Sequence, residues 1–387
     1  MDLFNVYPLV DITPVRALGA KLWDDKGQEY LDFYGGHAVI SIGHSHPHYV
    51  QRLTEQVQNI GFYSNSVQIP IQRELAAKLG QASGYPEYSL FLCNSGAEAN
   101  ENALKLASFH TGKKRVIAFK GAFHGRTSGA VAATDNPKIV APFNADHAIS
   151  FVEYDLAAVE QVLQGGEVCA AIIEPIQGVG GIIRPTDEFL QGLAALCAQY
   201  QALLIADEVQ SGYGRSGKFF AHQYAGIRPD IISVAKGMGN GFPIGAILIS
   251  PELKASYGLL GTTFGGNHLA CAAGLAVLEV IEQENLVQHA AELGNYLRAE
   301  LEAHAGAVEI RGRGLMLGIK YDFPIKDVRD KLLSEQHIFV GNASDPTVLR
   351  LLPPLTITKA EAERFLQALY ALTEKSAKVI QQASALD

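Results

Sequence analysis

Short, continuously apolar runs set the fold open to this chain. Leu90–Cys93, Val116–Phe119, Cys169–Ile173, Leu203–Ala206, Ile231–Val234 and Ala246–Ile249 are strand-sized. Most alternate too little to leave one face wet. A strand apolar on both faces must be covered on both, and helices are the usual cover for a parallel sheet. Amphipathic stretches separate several of the runs at about thirty residues, the length of a β-α-β unit. The expected core is therefore a mainly parallel sheet between helices. After Gly266 the texture changes. Ala270–Glu282 and Leu286–Ala303 read as helices, Ala307–Ile310 and Leu315–Tyr321 as strands, and Thr358 with Glu361 as the capping box of a last helix. An α/β domain ending near residue 260 and a smaller α+β domain after it are expected.

Composition narrows the function. Of 387 residues, 48% are apolar and 18% charged, which belongs to a folded chain with a sizeable core. No apolar stretch reaches the roughly 18 residues that a membrane helix needs. The opening Met1-Asp2-Leu3-Phe4-Asn5 lacks the pattern of a secretory signal. Cys93, Cys169, Cys197 and Cys271 are scattered and form no CxxC pair, which suits a reducing cytoplasm. A net charge of −9 with no basic run argues against nucleic acid, whose affinity comes from phosphate neutralisation.

The chemistry-bearing residues sit where apolar runs end. Lys236 follows Ile231–Val234 by two residues and precedes Gly237, Gly239 and Gly241. A desolvated amine there can form a Schiff base with a carbonyl, although a lysine before a loop also snorkels to water. Asp207 ends Leu203–Ala206, at the sheet edge where α/β proteins bind ligands. It can hold a pyridinium proton, cap the next helix or bind magnesium. Asn94-Ser95-Gly96-Ala97 turns from a strand into a helix, and its free N–H groups can cradle a phosphate. Phe123-His124-Gly125-Arg126-Thr127 offers a ring to stack on a planar group and a guanidinium for a carboxylate. Gly261-Thr262-Thr263-Phe264-Gly265-Gly266 offers hydroxyls in a glycine-rich turn. Arg350, amid apolar residues, reads as buried beside an anion, whether substrate or structural partner. His44, His46 and His48 cluster around Pro47 without a Glu or Cys at ligand spacing, so no metal is expected.

Together and in this order, these motifs resemble the class III, or ornithine-type, aminotransferases that use pyridoxal phosphate. The resemblance runs from Gly27–Phe33 and Gly43–Pro47 to Arg350–Pro354. Within the group it is nearest the acylornithine aminotransferases of arginine synthesis, through Asn94–Asn100, Phe123–Thr127, Glu174–Gly178, Asp207–Gly212 with Gly214-Arg215, and Thr263–Asn267. The resemblance implies the fold-type I architecture of pyridoxal-phosphate-dependent transferases. It implies an N-terminal segment, 1–45, packing with the small domain, a cofactor-binding α/β domain over 46–260, and a C-terminal domain over 261–387.

The implied reaction moves an amino group from N-acetylornithine to 2-oxoglutarate, giving the semialdehyde and glutamate. Lys236 and Asp207 are the implied catalytic pair. Ser95, Gly96, Ala97, Phe123, His124, Val209 and Gln210 would hold the cofactor with them, and Thr263 would reach the phosphate of a neighbouring subunit in a homodimer. Arg126, Thr262, Glu174 and Arg350 would meet substrate, with Arg350 gripping the α-carboxylate of glutamate and 2-oxoglutarate.

Two stretches depart from the family pattern. Relatives usually read Glu-Pro-x-Gln-Gly-Glu, and here the second glutamate is Val179. Tyr34-Gly35-Gly36-His37 also differs, near the expected substrate entrance. N-succinylornithine, free ornithine or another ω-amine is the alternative substrate. A non-catalytic binding protein on the same scaffold is the alternative class.

Overall fold

The computed structural model describes residues 1–303 and 306–384. Its centre is a seven-stranded sheet in the order Ser89–Cys93, Gly245–Ile249, Ile231–Val234, Leu203–Asp207, Val168–Ile173, Arg115–Phe119 and Ile149–Val152. All six expected runs are strands in it. Every residue of Val168–Ile173, Leu203–Asp207 and Ile231–Val234 is buried, as cover on both faces requires. The helix Gly96–Thr111 packs against five strands of the sheet, with Ala99, Ala103 and Leu106 buried. The helix Asp187–Gln199 lies against Leu203–Asp207.

Two features of the sheet were not expected. Gly245–Ile249 runs antiparallel to both of its neighbours. The ten residues between it and Ile231–Val234 are too few for a parallel crossover, which needs a dozen or more. Ile149–Val152 is an additional edge strand whose first three residues are only half-buried, so its pattern in the sequence is weak.

Two four-stranded sheets flank the ends of the chain. Pro14–Leu18, Lys21–Asp24 and Glu29–Asp32 form one, completed by the parallel strand Ile338–Phe339 from the C-terminal part. Glu309–Arg313, Met316–Lys320, Val348–Leu351 and Gly341–Asn342 form the other. The helix His268–Gln283 is buried over most of its surface and packs on Pro47–Asn59 and Pro70–Ser83. The last helix starts at Lys359, where Thr358 and Glu361 exchange the reciprocal bonds of a capping box. His44, His46 and His48 point to three different carboxylates, Asp32, Glu284 and Glu279. No described helix is long and apolar enough to cross a membrane.

The sheet's central strands should be its least tolerant part. Ile205 is fully buried, so Ile205→Ala is expected to cost about 2–5 kcal/mol. Ile149→Ala, on the half-buried edge, should cost less than about half of that. Denaturant melts at fixed protein and cofactor concentration would compare them. Equal losses would contradict the buried centre.

Candidate active site

Asp207 and Lys236 come together because their strands are neighbours. In the parallel pair Asp207 lies opposite Ser233, and Lys236 follows three residues on. Both face a cavity of about 370 Å³ at the carboxyl edge of the sheet. Ser95, Gly96, Ala97, Phe123, His124, Arg126, Glu174, Val209 and Gln210 line the same cavity.

Asp207 is 4% exposed and its carboxylate is fixed by three donors. Oδ2 accepts from Asn100 Nδ2 at 2.7 Å and from His124 Nδ1 at 2.7 Å, and Oδ1 accepts from the Val209 N–H at 3.0 Å. Asn100 is held in turn by Ser233, whose hydroxyl donates to Asn100 Oδ1 at 2.6 Å. With its Nδ1 proton given to Asp207, His124 leaves Nε2 buried and without a partner. Gln210 Oε1 is likewise buried and unpartnered. Orphaned acceptors of this kind in a cavity wall mark places where a ligand belongs.

Lys236 opens a single 3-10 turn with φ of +45°, a left-handed conformation that costs a non-glycine residue energy. The loop behind it holds that strain. Asn240 Oδ1 accepts from the N–H groups of Ser41 and Ile42, its Nδ2 donates to Gly43 O, and the Ser41 hydroxyl donates to Gly237 O. Burial pushes the Lys236 pKa below the ordinary lysine value. Arg350 adds to that, while Asp207 and Glu174 oppose it.

The Ser95–Ala97 turn in the same cavity wall suits an anion. Ser95 caps the helix Gly96–Thr111 by accepting from the Glu98 N–H. The first-turn amides of Gly96 and Ala97 have no acceptor within their own helix. Gly96 must lack a side chain, since a Cβ there would sit 2.6 Å from Val209. Val209 thus braces the turn from below. The loop bearing Arg126 is tied down by Glu101, which accepts from the Thr127 hydroxyl at 2.6 Å and from the amides of Gly129 and Ala130.

Glu174 lines the cavity with both oxygens already engaged. The Phe123 N–H donates to Oε1 at 2.8 Å and the Gly178 N–H to Oε2 at 2.9 Å. Burial pushes its pKa up to about 7, with the Asp207 charge adding to the rise and His124 and the two amides opposing it. This geometry makes Glu174 a brace between the Phe123 loop and the Gly178 turn.

Three of the expected residues lie outside the cavity wall. Arg350 is 3% exposed and sits behind the Gly178 turn, its Nη1 donating to Gly178 O at 2.9 Å and its Nε to Asn342 O. Thr262 lines an adjacent cavity, and its hydroxyl accepts from the Gly265 N–H. Thr263 is exposed on the surface turn. Asn100, Glu101 and Ser233 were not anticipated as site residues. Asn100 and Glu101 lie in a polar stretch one turn into their helix, Glu98 to Asn102, and nothing in that stretch singles them out.

The residues fit pyridoxal phosphate. An amine and a fixed carboxylate stand on adjacent strand ends, and the same cavity is lined by the helix N-terminus at Gly96 and Ala97 and by two side chains with orphaned acceptors.

Known proteins agree with this geometry. The family Aminotransferase class-III matches residues 5–372. The acetylornithine aminotransferase of Bacillus subtilis is 41% identical over 367 residues, covering 93% of this chain and 94% of its own. The solved ornithine aminotransferase of Toxoplasma gondii superposes with a TM-score of 0.89 at 30% identity, over 95% of this chain and 92% of that one. A second structure of that enzyme, with partial occupancy of PLP at its active site, gives 0.87 at 30% identity, over 96% and 92%. The chain belongs to the class III aminotransferases, which are enzymes dependent on pyridoxal phosphate.

Proposed function

We propose that this enzyme transfers the δ-amino group of N-acetylornithine to 2-oxoglutarate, a step of arginine synthesis. The observation that carries the proposal is the pairing of Lys236 and Asp207 in one cavity, in a chain 41% identical to an acetylornithine aminotransferase.

Bound pyridoxal phosphate supplies an aldehyde that takes up and returns the amino group, on a ring that draws electrons from the reacting carbon. Lys236 Nζ is the amine that would hold its aldehyde and would move the proton at the reacting carbon, a task suited to a lysine whose pKa is lowered by burial. Asp207 holds the proton at the ring nitrogen, and the triad of donors from Asn100, His124 and Val209 keeps its carboxylate aimed there. Phe123 would stack on the ring, and Gln210, whose Oε1 is unpartnered, would meet the ring hydroxyl. Ser95, Gly96 and Ala97 would hold the phosphate at a helix N-terminus. Arg126, exposed on the cavity rim, holds the distant carboxylate of the ornithine substrate. Arg350 holds the carboxylate next to the reacting carbon of glutamate, once that group reaches the Gly178 turn.

Thr263 lies exposed and away from the cavity. Its role is to reach the phosphate of a second copy, and with it Thr262 comes beside substrate, which makes the enzyme a homodimer. All four cysteines are free and buried, which fits a place in the reducing cytoplasm. The division into 1–45, 46–260 and 261–387 is retained as the working domain scheme. Free ornithine is the second reading, favoured by the likeness to the Toxoplasma gondii enzyme.

Two experiments test this assignment. Borohydride treatment of the cofactor-loaded enzyme, followed by peptide mapping, should place the label on Lys236, and Lys236→Ala should lose the visible absorbance band. A label on any other lysine would overturn the role given to Lys236. Steady-state kinetics on acetyl-, succinyl- and unmodified ornithine should give the highest kcat/KM with acetylornithine. A tenfold preference for either of the others, about 1.4 kcal/mol in transition-state binding, would replace it as the donor.

A further inference from the structure

Gly35, Gly36, His37 and Ala38 have φ values of 55°, 54°, 68° and 64°. They form one left-handed turn, closed by the Ala38 N–H to Tyr34 O and the Val39 N–H to Gly35 O. Glycine adopts this conformation freely, whereas His37 and Ala38 do so at a cost. Strain of this kind persists only where the surroundings impose it, and it gathers at functional sites. Asp32 imposes it at one end, accepting from the amides of Tyr34 and Gly35, and the Gln210 side chain donates to His37 O at the other.

The turn carries a polar pair. The Tyr34 hydroxyl meets the His37 ring, 3.0 Å from Nε2, with the rings 4.7 Å apart. The Tyr34 ring also stands against Gly341, where a Cβ would come within 2.8 Å of it and 3.3 Å of Arg350 Cβ. Gly341 is the residue opposite Arg350 in the antiparallel pair. The missing side chain at Gly341 therefore lets Tyr34 approach Arg350. His37 is exposed and Tyr34 half-buried, so both can shift without unpacking the core.

Arg350 needs an answer to its charge. Its hydrogen bonds go to two neutral carbonyls, and no carboxylate lies within ion-pair distance of it among the described residues. Val179, next to the carbonyl that Arg350 grips, lines the cavity with an apolar side chain. The two half-reactions make opposite demands on this group. Glutamate brings a carboxylate to the reacting carbon, whereas an ω-amine brings only a methylene there. A bare buried guanidinium facing a methylene is unfavourable.

We propose that Tyr34 and His37 are specificity-determining residues, a neutral cover whose hydroxyl and imidazole lone pairs face Arg350 while the ω-amine reacts and withdraw when an α-carboxylate arrives. The left-handed turn is the hinge. Burial, together with the fields of Arg350 and Lys236, favours the neutral imidazole, so the cover adds no second positive charge. The proposal rests on the two-substrate reaction given above.

Single-turnover absorbance with acetylornithine and with glutamate, on the loaded His37→Ala and Tyr34→Phe enzymes, tests it. Calorimetric titration with glutarate, a five-carbon dicarboxylate, reads Arg350 without turnover. Each variant should bind acetylornithine about tenfold more weakly, the loss of one hydrogen bond to a charged group. Its glutamate half-reaction should stay within about twofold, and glutarate should bind as tightly as before or more so. Val179→Glu supplies a carboxylate beside Arg350. Added to His37→Ala, it should restore most of the acetylornithine half-reaction and weaken glutarate. Equal losses in both halves, or no recovery with Val179→Glu, would overturn the proposal. A wild-type enzyme inert toward acetylornithine would instead overturn the substrate assignment on which it rests.

Discussion

The carboxylate of Asp207 is the fixed point around which the site is built. Its strand is buried along its whole length, so the backbone beneath it cannot shift without disturbing both covering layers. Three donors then set the two oxygens, from a helix, a loop and the next turn of the same chain. One of them, Asn100, is itself positioned by Ser233 from the adjacent strand. The carboxylate and the strand that leads to Lys236 are thus locked in one network. Asp207, Asn100 and Ser233 are buried, so removing a partner from this network leaves a polar group without water or partner, at about 1–3 kcal/mol each.

Lys236 is held by a different logic. Its left-handed backbone is strained, and residues far away in sequence keep it so. Ser41, Ile42 and Gly43 clasp Asn240 and Gly237 across nearly 200 positions of chain. Arg215, 2% exposed, ties the same region to the C-terminal part through the carbonyls of Ile40, Leu315 and Pro353. Burial lowers its pKa to about 10, still high enough to keep the guanidinium charged at neutral pH. The loops beside the end sheets therefore bear on catalysis without supplying a reacting group.

The central sheet was legible because burial on both faces leaves a continuous apolar run. Cys169–Ile173 and Ile231–Val234 were plain for that reason, and the half-buried Ile149–Val152 was not. Strand direction has no such signature, and the reversal at Gly245–Ile249 could be read only from the shortness of the loop before it. Lys236 and Asp207 stood out because a charged residue directly after an apolar run is conspicuous. Asn100, Glu101 and Ser233 were missed because each is an ordinary polar residue until the fold brings its partner close. Arg350 shows the converse. Its burial was readable from Leu349, Leu351 and Leu352, yet that it meets carbonyls and, among the described residues, no carboxylate depends on the Gly178 turn, 172 positions away, and on Asn342 of the paired strand.

The central claim is that one cavity reads a distant carboxylate in one half-reaction and a near one in the other. Arg126 lines that cavity, exposed on its rim, and Arg350 is buried behind the Gly178 turn. Single-turnover absorbance of Arg126→Ala and Arg350→Ala, with acetylornithine and with glutamate in turn, measures the two tasks separately. The account predicts that Arg126→Ala slows the acetylornithine half by far the more, and Arg350→Ala the glutamate half, each by about 2–5 kcal/mol of lost binding. Equal losses in both halves for both variants would contradict it.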